Sequence, residues 1–149
     1  MFRGQFLHSI DTKGRMSLPA RFRDVITVDN CQTLVITPAP FEPCLHAYPL
    51  REWERLESKI SEYSILETNA VRIKRLYLSA AAECELDRIG RIVVPQNLRE
   101  QAGLDKEVFL AGMGRNFEMW TKARWDAALS MTEEQNEAFK QVAMETIRI

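Results

Sequence analysis

The chain has 149 residues, of which 46% are hydrophobic and 28% charged, with a formal net charge of −1. That size and apolar content suit one domain or two small halves and exclude a disordered polypeptide. No apolar run approaches the roughly 20 residues of a membrane span, and the three scattered cysteines, Cys31, Cys44 and Cys84, form neither a disulfide framework nor a zinc-ligand spacing.

Met1 to Arg15 alternates apolar and polar residues, which predicts a first strand and not a signal peptide. Thr12 to Gly14 supplies a turn, Arg15 resumes the strand, and Pro19 ends it and opens a short helix. Residues 1–24 carry Arg3, Lys13, Arg15, Arg21 and Arg23 against Asp11 and Asp24, a local +3, whereas the end of the chain is acidic. Thr33 to Ile36 reads as another strand, followed by a Pro-rich loop over 38–43. Trp53, Leu56, Ile60 and Tyr63 then keep one helical face apolar, and Leu66, Ala70, Ile73 and Tyr77 do so again.

The same grammar returns in the second half. Asp11, Gly14, Arg15, Pro19 and Arg23 recur 76 residues later as Asp87, Gly90, Arg91, Pro95 and Arg99. Tyr48 and Trp53 match Trp120 and Trp125 at an offset of 72, so the first copy is longer between its motifs, in the Pro-rich loop. Such a repeat marks a duplicated structural unit. In the second copy Cys84 and Leu86 alternate with Glu83 and Glu85 as a half-buried strand. Arg88 to Gly90 turns the chain, Arg91 to Val94 resumes it, and 96–102 form a helix closed by Gly103. Glu107 to Leu110 reads as a strand and Ala123 to Met131 as a helix. Thr132 to Gln135 reads as a capping box opening a last helix to about residue 147. The expected divisions are a first hairpin unit over 5–52, connecting helices over 53–80, a second hairpin unit over 81–124 and C-terminal helices over 125–149.

The D-x-x-x-R motif has a structural reading: Asp11 and Asp87, with Gly14 and Gly90, stabilise the turns and orient the arginines. The arginines have a second reading. A guanidinium forks onto phosphate or onto guanine O6 and N7, and a two-stranded ribbon fits the major groove. The plain alternative is a solvated charged edge that discourages sheet aggregation.

The strings "IDTKGRMSLPARFRDVI" and "LDRIGRIVVPQNLREQAGL" resemble the AbrB-type swapped-hairpin DNA-binding domain. Two copies in one chain, the opening "MFRGQFLHSIDTKGR" and helices after each copy resemble the MraZ family in particular, across essentially the whole chain. The resemblance implies an α+β fold: two tandem hairpin units form a small barrel-like core closed within one chain, with helical pairs after each. It also implies a cytoplasmic, nucleoid-associated repressor that assembles into a ring-like homo-oligomer. Its partner would be double-stranded promoter DNA, at short repeated boxes upstream of the division and cell-wall gene cluster, including its own gene.

By position, the resemblance assigns DNA contact to Arg15 and Arg91 and phosphate contact to Arg23 and Arg99. Lys13, Arg21 and Arg3 are added on charge alone. Lys13 becomes Ile89 and Arg21 becomes Asn97 in the second copy, partly offset by Arg88, and His8 and Cys84 stand where some single-copy relatives carry arginine. The first copy is therefore expected to grip DNA, with the second mainly structural or an interface.

No cofactor, metal, membrane partner or small-molecule substrate is expected. His8 and His46 lack an acid/base pair or ligand spacing, which argues against an enzyme. Cys84 is expected on the buried face of its strand, and the three tryptophans in the core. The rival reading is a swapped-hairpin protein-interaction module, antitoxin-like or a structural ring protein. The helical periodicity after residue 121 counts against the disordered tail of an antitoxin.

Overall fold

The two copies fold into each other instead of side by side. The computed structural model describes residues 1–148. The first copy contributes β1 (Gln5–Ser9), β2 (Arg15–Ser17), α1 (Ala20–Ile26), β3 (Thr33–Pro38), β4 (Leu45–Pro49), α2 (Leu50–Ser61) and α3 (Thr68–Ile73), which runs on into a π-helical turn over Lys74–Leu78. The second contributes β5 (Ala82–Glu85), β6 (Arg91–Val93), α4 (Gln96–Ala102), β7 (Glu107–Gly112), β8 (Phe117–Trp120), α5 (Lys122–Leu129) and α6 (Glu133–Ile147).

Six strands form one sheet in the order β1-β7-β8-β4-β3-β5, and β2 pairs only with β6. Exchanging the copies maps this order onto its own reverse. A pseudo-twofold axis therefore passes between β4 and β8, where His46 faces Glu118, and between β2 and β6, where Met16 faces Ile92. The first strand of each copy completes the sheet of the other: β1 pairs with β7, and β5 with β3.

The expected barrel-like core is not what forms, because no sheet closes on itself. The cause lies in the hydrogen bonds of the short strands. Beyond their own pairing, Leu18 N–H donates to Gly90 O and Val94 N–H to Gly14 O, so each end of the ribbon is taken up by the opposite turn. The ribbon therefore closes on itself as a separate two-stranded sheet and adds no backbone ladder to the edge strands β1 and β5.

The ribbon, α1 and α4 cover one face of the sheet over the main core. Phe22 lies at its centre, with ring centroids 5.1 Å from Phe2, 5.3 Å from Phe6 and 4.8 Å from Phe117. Met16, Ile92, Leu98 and Val94 complete it against Leu34, Leu45, Leu110 and Met119. The other face carries two smaller clusters. Trp53 and Tyr77 from the helices after copy one pack on Val35, and Trp125 packs on Phe109 and Trp120. Trp53 and Trp120 are buried and Trp125 is half-buried. The helical face expected around Leu66 is shorter in the fold: α3 starts at Thr68, and Tyr63 and Leu66 are exposed.

The capping box of α6 is formed, with Thr132 accepting from Gln135 N–H and the Gln135 side chain accepting from Thr132 N–H. Yet α6 has no buried residue.

Candidate nucleic-acid interface

Both turns are built by one aspartate each. Asp11 Oδ1 accepts from Lys13 N–H and Arg15 N–H, both at 2.9 Å, and Oδ2 accepts from Arg15 Nε at 2.7 Å. Asp87 repeats the pattern: Oδ1 accepts from Ile89 N–H at 3.0 Å and Arg91 N–H at 2.8 Å, and Oδ2 from Arg91 Nε at 2.9 Å. Gly14 and Gly90 close the turns with φ of +84° and +80°, the left-handed region open to glycine. A carboxylate receiving three N–H donors is held in its charged form. The Arg15 backbone amide first, and then its guanidinium, lower the Asp11 pKa from 3.8 to about 2. The Arg91 amide and side chain lower that of Asp87.

Clamping Nε orients each guanidinium while leaving its two terminal nitrogens without a partner among the described residues. Strand alternation decides where these groups point. Met16 and Ile92 are buried in the core, so Arg15, Ser17, Arg91 and Val93 project from the opposite, solvent side of the ribbon. Arg15 lies opposite Val93 and Arg91 opposite Ser17. The two arginines thus sit diagonally on one outward face, one from each copy.

The remaining candidates divide. Lys13 is exposed at the first turn tip, and Arg21 is exposed on α1. Arg23 and Arg99 are half-buried and crossed: each lies under the glycine of the other copy's turn, Arg23 against Gly90 and Arg99 against Gly14. Arg99 donates through Nε to Val94 O at 3.0 Å and through Nη1 to Thr12 O at 3.4 Å. Arg23 Nε is buried without a partner among the described residues, so the two halves are not equivalent there. Arg3 stands apart, because the length of β1, roughly 17 Å for five residues, separates it from the Asp11 turn.

Two features escape the sequence. His8 Nδ1 lies 2.6 Å from Ser17 O; a carbonyl only accepts, so Nδ1 carries the proton and tethers β1 to the ribbon. His46, read as an ordinary residue, bonds Tyr77 Oη through Nδ1 at 2.6 Å and Glu118 Oε2 through Nε2 at 3.2 Å. Glu118 comes from the other copy, so no local spacing announces this pair. Burial pushes the Glu118 carboxyl up, but hydrogen bonds from His46 and Trp120 outweigh it and leave the group below its ordinary range. Burial raises the Cys44 thiol strongly, and that of Cys84 to about 11, so both are protonated at neutral pH.

Two interleaved strand–turn–strand–helix units, related by a pseudo-dyad and presenting paired D-x-x-x-R turns, define an AbrB-like swapped-hairpin transcription regulator. The family described as "MraZ protein, putative antitoxin-like" matches residues 1–76 and again 77–147. Proteins named transcriptional regulator MraZ are similar over nearly the whole chain. That of Syntrophobacter fumaroxidans is 43% identical over 133 residues, 89% of this chain and 87% of the relative. That of Moorella thermoacetica is 42% identical over 138 residues, 93% of each. That of Klebsiella pneumoniae is 40% identical, covering 97% of this chain and all of the relative. The chain belongs to the MraZ family, and its function is of that family's transcription-regulatory, non-enzymatic kind.

Proposed function

We propose that the chain is a sequence-specific DNA-binding repressor whose reading surface is the outer face of the β2–β6 ribbon with its two flanking turns. The observation that carries this is the pair of clamped arginines, Arg15 and Arg91, on that one outward face. A preset guanidinium loses little freedom on docking, and its two unused nitrogens match the fork of guanine O6 and N7 or of a phosphate. Lys13 and Arg21 make the first copy the stronger grip, with Arg91 in support. Arg23 and Arg99 brace the turns and offer their remaining N–H groups to phosphates. Arg3 contributes charge at a distance.

The DNA target in this reading is a set of short repeated promoter boxes upstream of the division and cell-wall gene cluster, including the chain's own gene. A ring-like homo-oligomer in the cytoplasm, associated with the nucleoid, would present many weak ribbons to successive boxes, so that linked binding raises affinity without new contacts. This accounts for DNA binding by a chain of net charge −1.

The test is binding to the chain's own upstream DNA and to a scrambled duplex across a salt series. The expected preference is about a thousandfold or more, weakening steeply with salt. Arg15→Ala should abolish the preference and Arg91→Ala reduce it. Equal, weak binding to both duplexes would overturn the reading in favour of a protein-interaction module, for which the exposed α6 would be the natural surface.

A further inference from the structure

We propose that Cys44, His46 and Glu118 form a binding site for a divalent transition metal of the zinc class, on the pseudo-dyad and on the face of the sheet opposite the ribbon. The Cys44 thiol, a ring nitrogen of His46 and a carboxylate oxygen of Glu118 lie within 4.8 Å of one another. Zinc takes sulfur at about 2.3 Å and nitrogen or oxygen at about 2.0–2.2 Å, which separates neighbouring ligand atoms by some 3.3–3.8 Å in a tetrahedron. His46 Nε2 and Glu118 Oε2 are already 3.2 Å apart. Drawing the Cys44 sulfur from within 4.8 Å of both to that spacing completes a three-ligand face, with a fourth position left for water.

The surroundings favour coordination over a bare hydrogen bond. Ligating histidines and carboxylates are held by outer partners that fix the tautomer and the ring plane. Here Tyr77 Oη engages His46 Nδ1 at 2.6 Å, and Tyr48 Oη in turn engages Tyr77 Oη at 2.8 Å. Coordination through Nε2 moves the imidazole proton, which Glu118 accepts from Nε2 in the free protein, to Nδ1. There it donates to Tyr77 Oη while the Tyr77 hydroxyl donates to Tyr48 Oη. Trp120 Nε1 donates to Glu118 Oε1 at 3.1 Å, which leaves Oε2 as the ligand atom. The charges close as well. Binding releases the Cys44 proton to solvent, and a thiolate, a carboxylate and a neutral imidazole then cancel the 2+ of the ion. The side chains of His46 and Glu118 retain 18% and 12% exposure, so an ion can enter from solvent. Bound there, it would cross-link β4 to β8 at the one place where the two copies meet centrally in the sheet.

Cobalt(II) titration of the full-length, metal-free, reduced protein is the test, because a thiolate on cobalt gives a near-ultraviolet charge-transfer band. One equivalent should saturate that band together with visible tetrahedral bands, and zinc should displace both. Cys44→Ala should lose the charge-transfer band, while Cys31→Ser keeps it. Tyr77→Phe, which retains all three ligands, should weaken cobalt binding about tenfold. Zinc should raise the thermal midpoint of the wild type and not that of His46→Leu. Absence of a charge-transfer band in the wild type, or its persistence in Cys44→Ala, would overturn the site and leave a plain hydrogen-bonded network. Neither result bears on DNA binding by the ribbon.

Discussion

His46 and Glu118 hold equivalent positions in the two copies, 72 residues apart, and face each other across the centre of the six-stranded sheet. Met16 and Ile92 do the same across the ribbon. Because both pairs lie on one axis and each copy lends its first strand to the other, neither half owns a complete sheet. Unfolding one copy strips β7 of β1 or β3 of β5. The chain is therefore expected to unfold in a single transition, with circular dichroism and tryptophan fluorescence coincident in urea. Phe22→Ala, which empties the centre of the aromatic cluster, should lower stability by about 3–5 kcal/mol, and Leu98→Ala, its counterpart in the second copy, by about 2–5 kcal/mol. Each should shift the whole transition. Two resolved steps would mean that the copies are independent.

The glycine turns make a sharper comparison. A Cβ at Gly14 would stand 2.5 Å from Val94 O, a backbone atom that already accepts from Arg99 Nε within the second copy. At Gly90 the obstacle is the flexible Arg23 side chain. Both substitutions force alanine to positive φ, at about 1–3 kcal/mol each. Gly14→Ala should cost more than Gly90→Ala, since a carbonyl cannot step aside. Equal midpoints in parallel urea titrations would argue against that difference.

Much of this arrangement was legible in the chain. The offset of 76 identified both turns, and prolines at 19 and 95 marked the starts of α1 and α4. What stayed hidden was pairing between distant segments. The strands β4 and β8, which join the halves, are short, and each serves both faces of the sheet, so their residues read as a motif and not as strands. The crossing of Arg23 and Arg99 beneath opposite turns was invisible for the same reason. Periodicity reports which side of an element is apolar and leaves open which distant element covers it. That gap also explains the expected barrel: no local pattern announces that β2 pairs with β6, with Met16 opposite Ile92 76 residues on, outside the six-stranded sheet.

Acid should loosen the turns in a defined window. The Asp11 carboxyl is more acidic in the folded chain, at about 2, than its ordinary 3.8. Its contribution to folding is therefore complete above the ordinary value and is lost as pH falls through about 2. The turn should be insensitive to pH across the neutral range. In a carboxyl NMR titration, Arg15→Ala should raise the Asp11 value only part of the way, because the leading cause is the residue-15 backbone amide, which alanine keeps. Full return to the ordinary value would assign the shift to the guanidinium instead.

Stability and recognition should separate between two arginines of the same copy-to-copy seam. Arg99 holds two carbonyls from beneath the Gly14 turn, so Arg99→Ala should lower stability by about 1–3 kcal/mol. Arg15 makes an exposed pair with Asp11, and Arg15→Ala should change stability by no more than about 1 kcal/mol. In the DNA-binding reading the order reverses, with Arg15→Ala the more damaging to promoter binding. Calorimetry and DNA titration on the same two variants test this, and a parallel loss in both measurements would make Arg15 a structural residue.

The last helix supplies the final prediction. Phe139, Val142 and Ile147 are 57%, 60% and 60% exposed along α6, and only Asn136 and Ala143 are even half-buried. A formed capping box fixes the start of a helix that the body of the chain does not cover. Fifteen residues of helix gain little from propensity alone in water and depend on packing for most of their stability. A chain ending at Ser130 should therefore melt within about 0.5 kcal/mol of the full-length protomer. Self-association should fall in sedimentation or light scattering if α6 packs between copies. Unchanged assembly would move the contact elsewhere, to exposed apolar residues such as Phe41 and Leu76. Loss of the folded state would show instead that α6 supports its own chain.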